Sequence, residues 1–189
     1  MKLCFLDVET TGTNPGKNAI HQLSGKIYID GELKEDFDFH LRPFDGAEIE
    51  DEALSVGGVT KEQIMEYPDQ AQVFKQFVAM LSKYVNRYDK TDKFYMVGYN
   101  CQSFDSAFIR ALFKLNNDSF YGSWFWSHTL DVMVLATAHL LDERGGMKNF
   151  KLSTVAEKCG CVIEEGSLHN SSYDVELTKS VYDKVCGIY

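Results

Sequence analysis

The spacing of apolar residues along the chain changes several times, and each change marks an element. Residues 2–8 begin with the run Leu3-Cys4-Phe5-Leu6 and reach the first acid at Asp7, which predicts a short buried strand. Residues 20–29 and 33–41 flank Asp30-Gly31, a pair that supplies the positive φ angles of a tight hairpin turn. In the second arm Phe37, Phe39 and Leu41 alternate with polar neighbours, so three antiparallel strands are expected near the start.

The period then lengthens. Thr60-Lys61-Glu62-Gln63 has the form of a capping box and predicts a short helix ending before Pro68. From Asp69 to about Tyr88, Val73, Phe74, Phe77, Val78, Leu81, Tyr84 and Val85 recur at three- and four-residue steps, one face of a longer helix. Residues 94–98 form a further buried strand, and helices are expected at 104–115, 129–141, 152–158 and 173–185. The stretches 11–18, 86–93, 116–127 and 142–149 read as loops. The order β-β-β-α-β-α-α predicts an α/β layer protein.

Length and charge narrow the function. At 189 residues the chain is expected to form one domain, 1–189. A formal charge of -9 argues against a broad basic surface that coats nucleic acid, so any such contact must be small or metal-assisted. The N-terminal apolar run is too short for a signal peptide and no run could span a bilayer, so a cytoplasmic protein without membrane contact is expected. The 5 cysteines are an odd number without zinc-knuckle spacing, and Cys4 and Cys186 are expected as buried free thiols.

Three segments carry candidate chemistry. Asp7 and Glu9 stand two apart at the end of the first strand, so both carboxylates face one way, and Thr10-Thr11-Gly12 follows as a polar turn. Taken alone, such a pair is more often a solvated strand face. Asp105 closes a strand-to-helix passage, Gly98-Tyr99-Asn100-Cys101-Gln102-Ser103-Phe104-Asp105, where an acid also suits the helix N-terminus. His169 stands on a polar loop five residues before Asp174, and imidazole beside carboxylates makes a natural general base. His128 with Asp131 reads as a helix start, with a lesser reading in which Asp131 supports the site. Trp124, Phe125 and Trp126 read as packing before base stacking.

Together, Asp-x-Glu-Thr-Thr-Gly, Asn-x-x-x-Phe-Asp and His-x-x-x-x-Asp, in that order, resemble the DnaQ-like exonucleases, the DEDDh group of the ribonuclease H-like fold. The likeness extends to the Asp30-Gly31 hairpin, Gly58-Val59-Thr60, His128-Thr129-Leu130-Asp131 and Lys151-Leu152-Ser153-Thr154-Val155. It implies a mixed sheet whose first three strands are antiparallel, with helices on both faces. It further implies Asp7, Glu9, Asp105 and Asp174 as ligands of two divalent cations, Mg²⁺ or Mn²⁺, and His169 as general base. Thr10, Thr11, Gly12, Asn100 and Phe104 would meet the terminal nucleotide. The implied activity is 3′-5′ hydrolysis of single-stranded DNA or RNA to nucleoside 5′-monophosphates.

The sequence departs from the family where Tyr99 and Gly57 replace histidines that many members carry near the substrate. No long tail follows the last motif, so a free-standing enzyme is favoured, with polymerase association as a lesser reading. A binding module without chemistry, and an enzyme of very short oligonucleotides or a nucleotide-like small molecule, are the rival expectations. The first is disfavoured because no acid is lost.

Overall fold

The computed structural model describes residues 1–163 and 171–187. The first strands are β1 (Lys2–Thr10), β2 (Ile20–Ile29) and β3 (Glu32–His40), followed by helices α1 (Asp51–Gly57), α2 (Lys61–Met65) and α3 (Gln70–Ser82). Then come β4 (Tyr95–Gly98), α4 (Asp105–Leu115), α5 (Tyr121–Trp124), β5 (Leu130–Asp131), α6 (Val132–His139), α7 (Leu152–Lys158) and α8 (Ser171–Cys186). The five strands lie in the order β3-β2-β1-β4-β5. β1–β2 and β2–β3 are antiparallel, while β4 joins β1, and β5 joins β4, in parallel. The mixed sheet that the resemblance implies is therefore the sheet observed.

Alternation along β1 divides the interior in two. Cys4, Leu6 and Val8 pack with α3 and α4 through Phe74, Phe77, Phe108 and Leu112. Leu3 and Phe5 face the opposite way, onto Val132, Val155, Val175 and Val181 of α6, α7 and α8. Helices thus cover both faces of the sheet, and β1 is buried on both sides, which explains its nearly unbroken apolar run. Asp30 (φ 51°) and Gly31 (φ 88°) make the hairpin turn, both in the left-handed region that matches strand twist. Thr60 and Gln63 form the expected capping box, with Gln63 N donating to Thr60 Oγ1 (3.3 Å) and Thr60 N to Gln63 Oε1 (2.7 Å).

Several boundaries differ from expectation, each for a local reason. α3 stops at Ser82, because the chain turns there to seat Val85 in the core and bring Tyr84 Oη to Glu35 Oε2 (2.7 Å). The segment at 129–141 opens as strand β5, since Leu130 and Asp131 pair with Val97 and Gly98 before the helix begins. The expected loop 116–127 contains α5, one turn anchored by buried Tyr121 and Trp124. Trp124 and Phe125 are core residues, as the packing reading held. Cys4 is buried, but Cys186 is exposed, because the last turn of α8 runs past the elements that cover Val181 and Tyr182. Among the described residues, no helix is long and apolar enough to cross a membrane.

Candidate metal and catalytic site

The site forms where the central strand ends. Parity carries the Leu3–Phe5 series on to Asp7 and Glu9, so both carboxylates leave β1 on the side covered by α8. Asp174, in the first turn of α8, meets them there. Oxygens of Asp7, Glu9 and Asp174 all lie within 4.8 Å of one another. This places together three of the four acids that the sequence singles out.

Asp105 approaches from the other side, as the first residue of α4. Its Oδ1 accepts a hydrogen bond from the amide of Val8 (3.0 Å), the residue between Asp7 and Glu9. The ladder with β4 ends at Phe5, so this carboxylate satisfies a strand amide that the sheet leaves unpaired. Asp105 is thereby fixed to the backbone of the acid-x-acid motif, and it is buried.

Anions this close and this dry resist ionisation. Burial, then the charges of Asp105, Glu9 and Asp174, hold the Asp7 carboxyl well above the usual carboxylate range. Burial, then Asp174 and Asp105, push Glu9 up to about 7. Asp105 is pushed up to about 7 by burial, against the opposing pull of its backbone hydrogen bonds. Hard oxygen donors that repel one another are suited to a divalent cation of the Mg²⁺ or Mn²⁺ type, whose charge offsets both burial and repulsion.

The strand-to-helix passage is held by a residue outside the implied set. Both oxygens of the Asp131 carboxylate are used: Oδ1 accepts from Asn100 N (3.0 Å) and Met133 N (3.1 Å), and Oδ2 from Gln102 N (3.0 Å). Asp131 thus caps α6 and also fixes the turn that delivers Asp105, which strengthens the supporting role read for it as the lesser alternative. His128 meets only the hydroxyl of Ser127 among the described residues. Asn100 takes φ 61°, a left-handed conformation that asparagine tolerates. Phe104 is half-buried against the Phe108 ring, with centroids 5.0 Å apart. Tyr99, at one departure from the family pattern, donates its hydroxyl to Phe150 O (2.6 Å) and so ties the turn to the segment before α7.

Thr10 and Thr11 build their turn with their own hydroxyls, which donate to Gly12 O (2.7 Å) and Glu48 O (2.7 Å). A ligand at this turn would meet backbone, since both hydroxyl protons are committed. Gly12 is required by the protein itself: a Cβ there would stand 2.3 Å from Glu50 Oε1 and 2.4 Å from Asn18 Nδ2.

Sequence reasoning missed one neighbour of the carboxylates. β2 pairs Gln22 with Glu9 and Ile20 with Thr10, leaving His21 as the extra residue of a β-bulge. Its ring is buried, and burial together with His40 lowers its pKa to about 4. A Cβ on Gly57 would lie 3.7 Å from Glu9 Oε2 and 3.9 Å from His21 Cε1, so the second departure from the family pattern borders both residues. The bulge has no sequence signature, and this proximity could not have been read from spacing. His169 lies outside the described residues.

Comparison with known proteins agrees with this arrangement. A family model described as "Exonuclease" matches residues 4–182. A curated relative, the PolC-type DNA polymerase III of Mycoplasmopsis pulmonis, is 20% identical over 176 residues, which cover 93% of this chain and 11% of the relative. Among solved structures, E. coli exonuclease I in complex with a dT13 oligonucleotide superposes with a TM-score of 0.77 at 20% identity, covering 99% of this chain and 41% of that one. A zinc-bound form of the complex of E. coli exonuclease I with single-stranded DNA gives 0.75 at 20% identity, covering 97% and 40%. The chain therefore spans well under half the length of these proteins. Matched almost from end to end by the family model, and folded with the acids of its three motifs drawn to the end of one strand, this chain belongs to the DnaQ-like exonuclease family.

Proposed function

We propose that the protein is a metal-dependent 3′-5′ exonuclease that removes nucleoside 5′-monophosphates from the 3′ end of single-stranded DNA or RNA. The observation that carries this is the convergence of Asp7, Glu9 and Asp174 within 4.8 Å of one another, with Asp105 bonded to the amide between the first two. Residues 1–189 act as a single catalytic unit in this reading, in the cytoplasm, with a polymerase as a further partner of the kind the PolC-type relative suggests.

Asp7, Glu9, Asp105 and Asp174 would hold two Mg²⁺ or Mn²⁺ ions, which when bound supply positive charge for the scissile phosphate, the attacking water and the leaving oxygen. The chain's own residues do the rest. His169 takes the proton of the attacking water as its oxygen bonds to phosphorus, the bond from phosphorus to the 3′ oxygen breaks, and solvent protonates that oxygen. The backbone of Thr10-Thr11-Gly12, together with Asn100 and Phe104, orients the terminal nucleotide. Asp131 keeps Asn100 and Gln102 in place behind them.

The test uses 5′-labelled single-stranded DNA and RNA with Mg²⁺, Mn²⁺ or EDTA. Laddering from the 3′ end that stops in EDTA is expected, and Asp7→Ala or Asp174→Ala should abolish it while the circular dichroism spectrum is kept. His169→Ala should lose about 10²-fold or more in rate and flatten the rise of rate with pH through the imidazole range. Undiminished activity of either Asp variant, or full activity in EDTA, would overturn the proposal.

A further inference from the structure

A groove that the roles above leave unused opens along the helix that carries Asp105. It has a volume of about 530 Å³ and runs between α4 and the 11–18 loop. Its floor is apolar, from Ile20, Ala107, Phe108 and Ala111, and its rim carries Arg42 and Lys114. In a protein with 28 acidic against 19 basic side chains, no Asp or Glu lines it. An apolar floor with a cationic rim matches a nucleotide, which has a flat base at one end and a phosphate at the other.

The groove and the candidate site share two elements, α4 and the loop that follows β1. Ala107, Phe108 and Ala111 follow Phe104 and Asp105 along one helix, and Phe108 packs directly on Phe104. On the opposite wall Asn18 donates to the carbonyl of Thr11, so the loop that ends at the groove begins at the turn beside Glu9. From Asp105 to Leu115 the helix extends the path by about 15 Å. At the far end Lys114 has no ion-pair partner among the described residues, whereas Arg42 is bonded to Asp69 (3.3 Å). The free ammonium is therefore the stronger of the two phosphate contacts.

We infer that this groove binds the nucleotides 5′ of the scissile bond, a base lying on Ala107 and Ala111 and a phosphate meeting Lys114. The inference rests on the exonuclease reading above and adds to it the course of the strand. A chain with a net charge of -9 would then grip its substrate at one local cationic patch on the helix that carries Asp105, and the gain from added length would end after the few nucleotides that the groove holds.

The experiment compares a dinucleotide with oligonucleotides of increasing length, using wild type, Lys114→Glu, Ala111→Trp, and Lys90→Glu as a surface-charge control. In the wild type, kcat/KM should rise over the first few added nucleotides and then level off. In Lys114→Glu, and in Ala111→Trp where the indole fills the groove, that rise should shrink by about tenfold, while Lys114→Glu keeps dinucleotide turnover within about twofold because a dinucleotide has no phosphate 5′ of the scissile one. Lys90→Glu should match the wild type. A length dependence preserved in Lys114→Glu, or an equal loss at every length, would overturn the inference. Lys114 is exposed, so its variant tests the groove even if Ala111→Trp fails to fold. Anisotropy of labelled oligonucleotides on an Asp174→Asn background separates the two readings. No hydrolysis of any substrate by the wild type would defeat the exonuclease reading, while weakened binding by Lys114→Glu would still uphold the groove.

Discussion

Glu9→Gln should stabilise the metal-free protein at alkaline pH. Glu9 is pushed from an ordinary value near 4.5 up to about 7 by burial and by Asp174 and Asp105. A carboxyl whose pKa is raised in the fold holds a proton more tightly there than in the unfolded chain. The stability it contributes is complete below about 4.5 and is lost as pH rises through about 7. At pH 8 both states are ionised, and the shift amounts to a penalty of about 3 kcal/mol on the folded state. Glutamine keeps the shape without the charge and removes that penalty. For a chain of this length the gain is about 6–12 °C in Tm. Near pH 4.5 the difference should fall below about 0.5 kcal/mol, because wild-type Glu9 is then neutral in the fold. Thermal melts of both proteins in EDTA from pH 4.5 to 8.5 make the comparison, and Mn²⁺ should reverse the order by stabilising the wild type more. A variant no more stable than wild type at pH 8 in EDTA, or a gain that does not shrink with acid, would refute the claim that repulsion and burial strain this site.

Asp131→Ala removes the acceptor of three backbone amides, so Tm should fall by the equivalent of about 2–4 kcal/mol, and exonuclease activity with it because the Asn100–Gln102 turn loses its anchor; an unchanged melt would refute this. Gly25→Ala places a Cβ 2.4 Å from both Phe37 Cζ and Phe5 O, and a loss of about 1–3 kcal/mol is expected in urea unfolding. Thr60→Ala deletes the acceptor of the capping box at an exposed helix start, which should cost about 1 kcal/mol and leave turnover unchanged.

The antiparallel strands and the pairing of Asp7 with Glu9 were legible in the sequence because each rests on a local rule. Strand parity aligns Asp7 with Glu9, and Asp30-Gly31 can hardly be anything but a tight turn. Elements that depend on distant partners were not legible. α1 buries only Leu54, so it has no apolar stripe to read. β5 is two residues long and exists because Val97 and Gly98 offer it a ladder. The hub at Asp131 joins three amides from two segments, one of them about thirty positions upstream. His21 reaches Gly57 only because a bulge turns its strand. Nor does the sequence show why glycine stands at 12: the space a side chain would need is filled by Asn18 and Glu50.

The position of α8 has a consequence for the protein's birth. Asp7 and Glu9 leave the ribosome long before Asp174, which comes on α8, the helix that also supplies Val175, Val181 and Tyr182 to the core beneath them. Until that helix emerges and docks, the nascent strand end lacks one of its four carboxylates and one face of the sheet stays uncovered. Domains fold as units during synthesis, with earlier segments waiting on later ones. In this order of synthesis Asp7, Glu9 and Asp105 wait for the helix that brings Asp174, so the four carboxylates come together only once α8 has docked.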